Sequence, residues 1–61
     1  MPLIEVKLYD QRVNEESAPE IIKALTDALV SVTDEAIREH VWVIVDGVPP
    51  RNWGVGGKPS G

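Results

Sequence analysis

One helical stretch flanked by two stretches of strand character leaves this chain few ways to fold. Leu3 to Tyr9 alternates, with Ile4, Val6 and Leu8 on one face and Glu5 and Lys7 on the other, the pattern of a strand with one buried face. His40-Val41-Trp42-Val43-Ile44-Val45-Asp46 is a near-continuous β-branched run and predicts a second strand, buried on both faces. Between them, Ser17-Ala18-Pro19-Glu20 has the S-x-x-E form of a capping box, with proline in the first turn, where its missing N–H is harmless. Asn14 is a second possible cap that would start the helix earlier and leave Pro19 inside it. Ile21, Leu25, Ala28, Leu29 and Val32 recur at helical spacing, Ile22 widens the stripe, and the helix should end near Val32 or Thr33. A strand, a helix and a strand make a βαβ unit, so the expected fold class is α/β with parallel strands and a right-handed crossover.

The rest of the chain adds little bulk. Thr33 to Arg38 can form a short helical turn, Val48-Pro49-Pro50-Arg51-Asn52 a rigid one. Trp53-Gly54-Val55-Gly56-Gly57-Lys58-Pro59 is too rich in glycine to stand alone and reads as a short hairpin or an arm laid on a neighbour. Residues 1–61 form a single domain. A chain of 61 residues buries only about 60% of the surface its unfolded form exposes, and small scaffolds usually add disulfides, a metal or a partner. Cysteine is absent and His40 is the only histidine, so disulfides, thiolate sites and histidine clusters are excluded. Two strands with one helix also leave both sheet edges and one apolar sheet face uncovered. The sequence therefore asks for an assembly.

Charge narrows the partners. Ten acidic residues against six basic ones give a net charge of −4, and the basic residues are scattered, which speaks against nucleic acid. No apolar run approaches the ~20 residues of a membrane span, and no signal-peptide pattern follows Met1. A cytoplasmic protein is the expectation. Met1-Pro2 carries a chemical possibility of its own. If Met1 is removed, the chain begins with a cyclic secondary amine, which is a base.

Met1-Pro2 leading into a strand, Arg12 just after that strand, one helix, a second strand and then Trp53-Gly54-Val55-Gly56-Gly57 together resemble the 4-oxalocrotonate tautomerase family. The resemblance spans nearly the whole chain. It implies a homohexamer, a trimer of dimers of βαβ subunits, with active sites built from adjacent chains and no metal or organic cofactor. It implies that Pro2, freed of Met1, is the catalytic base that moves a proton between carbon and oxygen of an acidic enol or 2-hydroxy-dienoic acid. An α-amino group titrates near about 7.7–8.0, and desolvation with nearby cations lowers this further, so such a base is poised near neutral pH. Arg12 matches the family's carboxylate-binding arginine, a role suited to a forked guanidinium; its other reading is a solvated loop residue. Trp53 stands where the family has an aromatic wall beside the proline, and Tyr9 joins the substrate-binding set.

One departure concerns the substrate grip. The family's second arginine, inside the second strand, is replaced here by Trp42, which can wall or stack but supplies no cation. Arg51, on the loop before Trp53, is the first candidate to reach the same space, followed by Arg38 and His40. Two other readings accompany the tautomerase. In a hydratase or dehalogenase-like variant, protonated Pro2 acts as acid while Asp46 or Glu5 activates water. In a non-catalytic oligomeric protein Met1 stays in place, and the Pro2 nitrogen remains an amide without basicity.

Overall fold

The computed structural model describes all residues, Met1–Gly61. Strand β1 (Leu3–Tyr9) pairs in parallel with β2 (Trp42–Val48), in a register that sets Leu3 opposite Trp42 and Tyr9 opposite Val48. Helix α1 (Ser17–Val32) connects them, as a parallel pair requires. Ile4, Val6 and Leu8 of β1 and Val43 and Val45 of β2 turn to the helix side and are half-buried. A separate two-stranded antiparallel hairpin, β3 (Gly54–Val55) with β4 (Lys58–Pro59), ends the chain. Short 3-10 turns at Asp10–Arg12, Glu35–His40 and Pro50–Asn52 link the elements.

The helix starts where its sequence promised, by a different device. Ser17 is its first residue, but no Ser17–Glu20 box forms. Asn14 Oδ1 instead accepts from the N–H groups of Glu16 and Ser17, at 2.8 and 2.9 Å. The Ser17 hydroxyl is engaged backwards, accepting from the Asn14 N–H and donating to the Arg12 carbonyl, both at 2.9 Å. Asn14 thus caps the helix without lengthening it, and Pro19 stays in the first turn. The buried stripe also differs from the expected one. Ile21, Leu25 and Leu29 are half-buried, yet Val30, at 7% exposure, is the one buried residue, while Val32 is 80% exposed. Both β2 and the turn Glu35–His40 pack against this helix.

That same turn delays β2. The Asp34 carboxylate caps it by accepting from the Ala36 N–H at 2.6 Å, and the Arg38 guanidinium ties it to Glu35 and to Asp27 of α1, both at 2.6 Å. His40 is therefore helical and the strand begins at Trp42, two residues later than the β-branched run suggested. Nor is β2 buried on both faces. Within one chain it alternates, leaving Trp42 56% and Ile44 49% exposed beside Leu3 at 52%, because no second layer lies on that side of the sheet. The Cα radius of gyration is 14.1 Å. A self-contained domain of this length would have about 10.5 Å. The chain is more extended than that, and one apolar face of its sheet is open.

Candidate functional site

Pro2 occupies one end of the sheet. It is half-buried at the head of β1, and its carbonyl accepts the Trp42 N–H at 2.9 Å. Pairing begins immediately after it, so the ladder asks nothing of the proline nitrogen. Leu3 and Trp42 stand opposite each other, with their side chains on the open face.

The other candidates gather at the opposite end. After Tyr9 the chain makes the 3-10 turn Asp10–Arg12, closed by the Val13 N–H donating to the Asp10 carbonyl at 3.1 Å. Gly47 of β2 makes room for this turn, since a Cβ there would lie 3.2 Å from the Asp10 Cα. The Ser17 hydroxyl holds the Arg12 carbonyl, so the backbone is fixed from both sides. The Arg12 guanidinium is exposed and makes no ion pair or hydrogen bond within the chain. It is a cation held ready. Arg51, in the turn Pro50–Asn52, is likewise exposed. Arg38 is committed to Glu35 and Asp27, and those two bonds raise its pKa; it lowers the Glu35 carboxyl pKa and, after Lys23, that of Asp27, so it is a structural cation. His40 is exposed beside Glu39, at 3.8 Å.

Trp53 is placed by three constraints. The turn Pro50–Asn52 delivers it, with the Trp53 N–H donating to the Pro50 carbonyl at 3.0 Å. Its ring lies against Tyr9, centroids 4.8 Å apart and planes tilted by 58°. Its carbonyl accepts the Ser60 N–H at 2.7 Å, and the Ser60 hydroxyl is hydrogen-bonded to the Tyr9 phenol. Gly56 and Gly57, at φ of 61° and 83°, form the two-residue turn that brings Ser60 back. Tyr9, Trp53 and Ser60 thus close a ring of contacts. Ser60 was not among the sequence candidates.

Beside Trp53 lies an open cleft of about 410 Å³, lined by Lys7, Val48, Asn52, Trp53 and Gly54. Lys7 Nζ bonds Asp46 Oδ2 at 2.9 Å across the strands, and that hydrogen bond raises the lysine pKa. Asp46, considered above as an activator of water, is held by this lysine. Glu5 is exposed on the open face, opposite Ile44. No group of three or more His, Asp or Glu side chains is arranged to hold a metal ion, and no helix is long and apolar enough to cross a membrane.

One chain therefore carries two half-sites: Pro2 with Trp42 at one end, and Tyr9, Arg12, Arg51 and Trp53 at the other. The six residue steps of β1 separate them by about 20 Å. Within one chain Trp53 does not close over Pro2.

A parallel βαβ unit with a C-terminal hairpin and a proline at the head of its first strand defines a narrow class of small α/β proteins. Residues 2–61 match the tautomerase enzyme family, and the chain belongs to it. A curated protein of Ralstonia nicotianae described as a probable tautomerase is 48% identical over 60 residues, covering 98% of this chain and 83% of that protein. The crystal structure of DmpI from Helicobacter pylori superposes with a TM-score of 0.84 at 28% identity, covering 97% of this chain and 90% of that one. TomN, a 4-oxalocrotonate tautomerase homologue of the tomaymycin biosynthetic pathway, gives 0.82 at 34% identity, covering 97% and 88%. The protein is thus an isomerase-type enzyme.

Proposed function

We propose that the protein is a keto–enol tautomerase for acidic enols, with the Pro2 amine as general base once Met1 has been cleaved. The observation that carries this reading is the place of Pro2. It heads β1 with its carbonyl fixed by Trp42, its nitrogen is not needed by the sheet, and the family match begins at that residue. The free amine takes the enol hydroxyl proton as the O–H electron pair becomes part of the carbonyl. The C=C pair then takes a proton at carbon from the prolyl ammonium, which returns to the amine. Atoms and charge balance without a cofactor.

The separation of the half-sites supports an active site shared between copies, in which Pro2 of one chain meets the Tyr9, Arg12 and Trp53 end of another. A homohexamer built as a trimer of dimers satisfies this and covers the open sheet face. Arg12 binds the substrate carboxylate, while Trp53 and Tyr9 wall the pocket. Trp42 contributes apolar surface where the family has a cation. The favoured substrate is then an enol acid with one carboxylate and a ring to pack, such as phenylenolpyruvate, rather than a dicarboxylate.

The test compares processed protein with a preparation retaining Met1, each verified by intact mass, on the same enol acid. Processed protein should be active, with kcat/KM rising with pH through one ionisation. The Met1-retained chain should be inactive, because an amide nitrogen accepts no proton. Equal rates would overturn the reading.

A further inference from the structure

The proposed site has a carboxylate grip in Arg12 and a base in Pro2, but no donor yet for the oxygen that alternates between enol and ketone. Trp42 carries one indole N–H but no charge and does not line the cleft beside Trp53, and Arg38 is engaged elsewhere. Arg51 is free but does not line the cleft beside Trp53. Lys7 does line it, and it is the cleft's single charged group. Lys7 and Tyr9 are two residues apart on one strand, so their side chains leave the same face of the sheet. Asp46 lies directly opposite Lys7 in the parallel register, and both side chains are more than half exposed.

This ion pair has a particular chemistry. An ammonium carries three N–H donors; Asp46 takes one and leaves two for a ligand. The pair is neutral as a whole, so it offers directed N–H groups without offering a net positive charge. A ketone or enolate oxygen profits from such donors. A full second carboxylate would instead face Asp46, a like charge within reach. We infer that Lys7 is a substrate-binding residue that donates to the 2-oxygen of the enol acid, and that Asp46 makes the site reject a second carboxylate. The inference rests on the proline-base reading and assigns that site its preference for monocarboxylic 2-oxo and enol acids.

The experiment uses protein shown by intact mass to lack Met1. Two probes are compared: phenylenolpyruvate, and a 2-hydroxydienoate bearing a second carboxylate. Lys7→Met should lower kcat on phenylenolpyruvate about tenfold or more with a smaller change in KM, since charge grows on that oxygen in the transition state. Lys7→Arg, which keeps a donor, should recover part of the loss. Asp46→Asn should lower KM for the dicarboxylate about tenfold while changing the monocarboxylate much less, because it exposes an uncompensated ammonium. Unchanged kcat in Lys7→Met, or an Asp46→Asn variant that shifts both probes equally, would overturn the assignment. If Lys7→Met disturbs assembly, the ratio of the two probes in Asp46→Asn decides alone. Pro2→Ala separates the two levels. A loss there with an indifferent Lys7 sinks the lysine only, whereas an indifferent Pro2 sinks the proline base.

Discussion

Ile44→Asp is the substitution that bears most directly on how the sheet is covered. Ile44 sits in the middle of the open face, between Trp42 and Asp46 on β2 and opposite Glu5 on β1. Leu3, Ile44 and Trp42 are 52%, 49% and 56% exposed in the single chain. Full burial of a large apolar side chain is worth about 1.5–3 kcal/mol, so covering the remaining half of each yields roughly 2–4.5 kcal/mol per chain for the three. An aspartate at 44 forfeits one third of that gain and places a charge in a dry contact, beside the acid at position 5, at a further cost of several kcal/mol per chain. Interfaces repeat in a symmetric assembly, so the penalty is multiplied by the number of copies. Sedimentation at micromolar concentration should show the parent protein assembled and Ile44→Asp dissociated. With Val30 the only buried residue, the released chain should also lose cooperative unfolding. An Ile44→Asp protein that sediments like its parent would show that this face is not the contact, and a monomeric parent would remove the premise.

Arg12→Ala should raise KM for an enol acid strongly and lower kcat less, because the carboxylate contact exists in ground state and transition state alike; steady-state kinetics measure the split. Asn14→Ala removes the acceptor for two N–H groups at the start of α1 and should cost about 1 kcal/mol, a fall in melting temperature of about 4–8 °C. Asp27 and Glu35 have pKa values below their ordinary 3.8 and 4.5, chiefly through hydrogen bonds from Lys23 and Arg38 to the first and from Arg38 to the second. Their stabilisation is therefore complete above those ordinary values and lost as pH falls through the lowered ones. Thermal melts of Arg38→Met between pH 7 and pH 2 should show a shallower acid limb than the parent, and identical limbs would refute the coupling.

The order of elements was legible because each carried a local signal: alternation at Leu3–Tyr9, helical spacing from Ile21, the β-branched run through Val45, and the glycine pair at Gly56-Gly57. What misled was tertiary. The turn Glu35–His40 is tied to the helix by a salt bridge between Arg38 and Asp27, eleven residues apart in sequence, which no local pattern announces. Trp42 and Ile44 read as buried because their composition anticipates a partner that a lone chain does not contain. Pro2, Tyr9, Arg12 and Trp53 could be named from the resemblance, and the strand Leu3–Tyr9 already sets Pro2 and Arg12 at opposite ends; where Trp53 returns depends on the turns after β2, which chain order does not show. Ser60 and Lys7 gave no signal; each acquires interest only from what folding sets beside it.

The distance between Pro2 and the Arg12–Trp53 end has a genetic consequence. If each catalytic centre draws its base from one chain and its carboxylate grip from another, two impaired proteins can repair one another. Pro2→Ala chains still carry a sound Arg12, and Arg12→Ala chains still carry a sound Pro2. Co-assembled in equal amounts, they would place an intact proline opposite an intact arginine in about a quarter of the centres. At substrate concentrations well below the raised KM, activity should then rise on mixing through a denatured state and stay low when the two are refolded apart. Complementation of that kind is denied to any enzyme whose working groups share a chain, and two defective alleles of this gene in one cell would behave as a partly functional one.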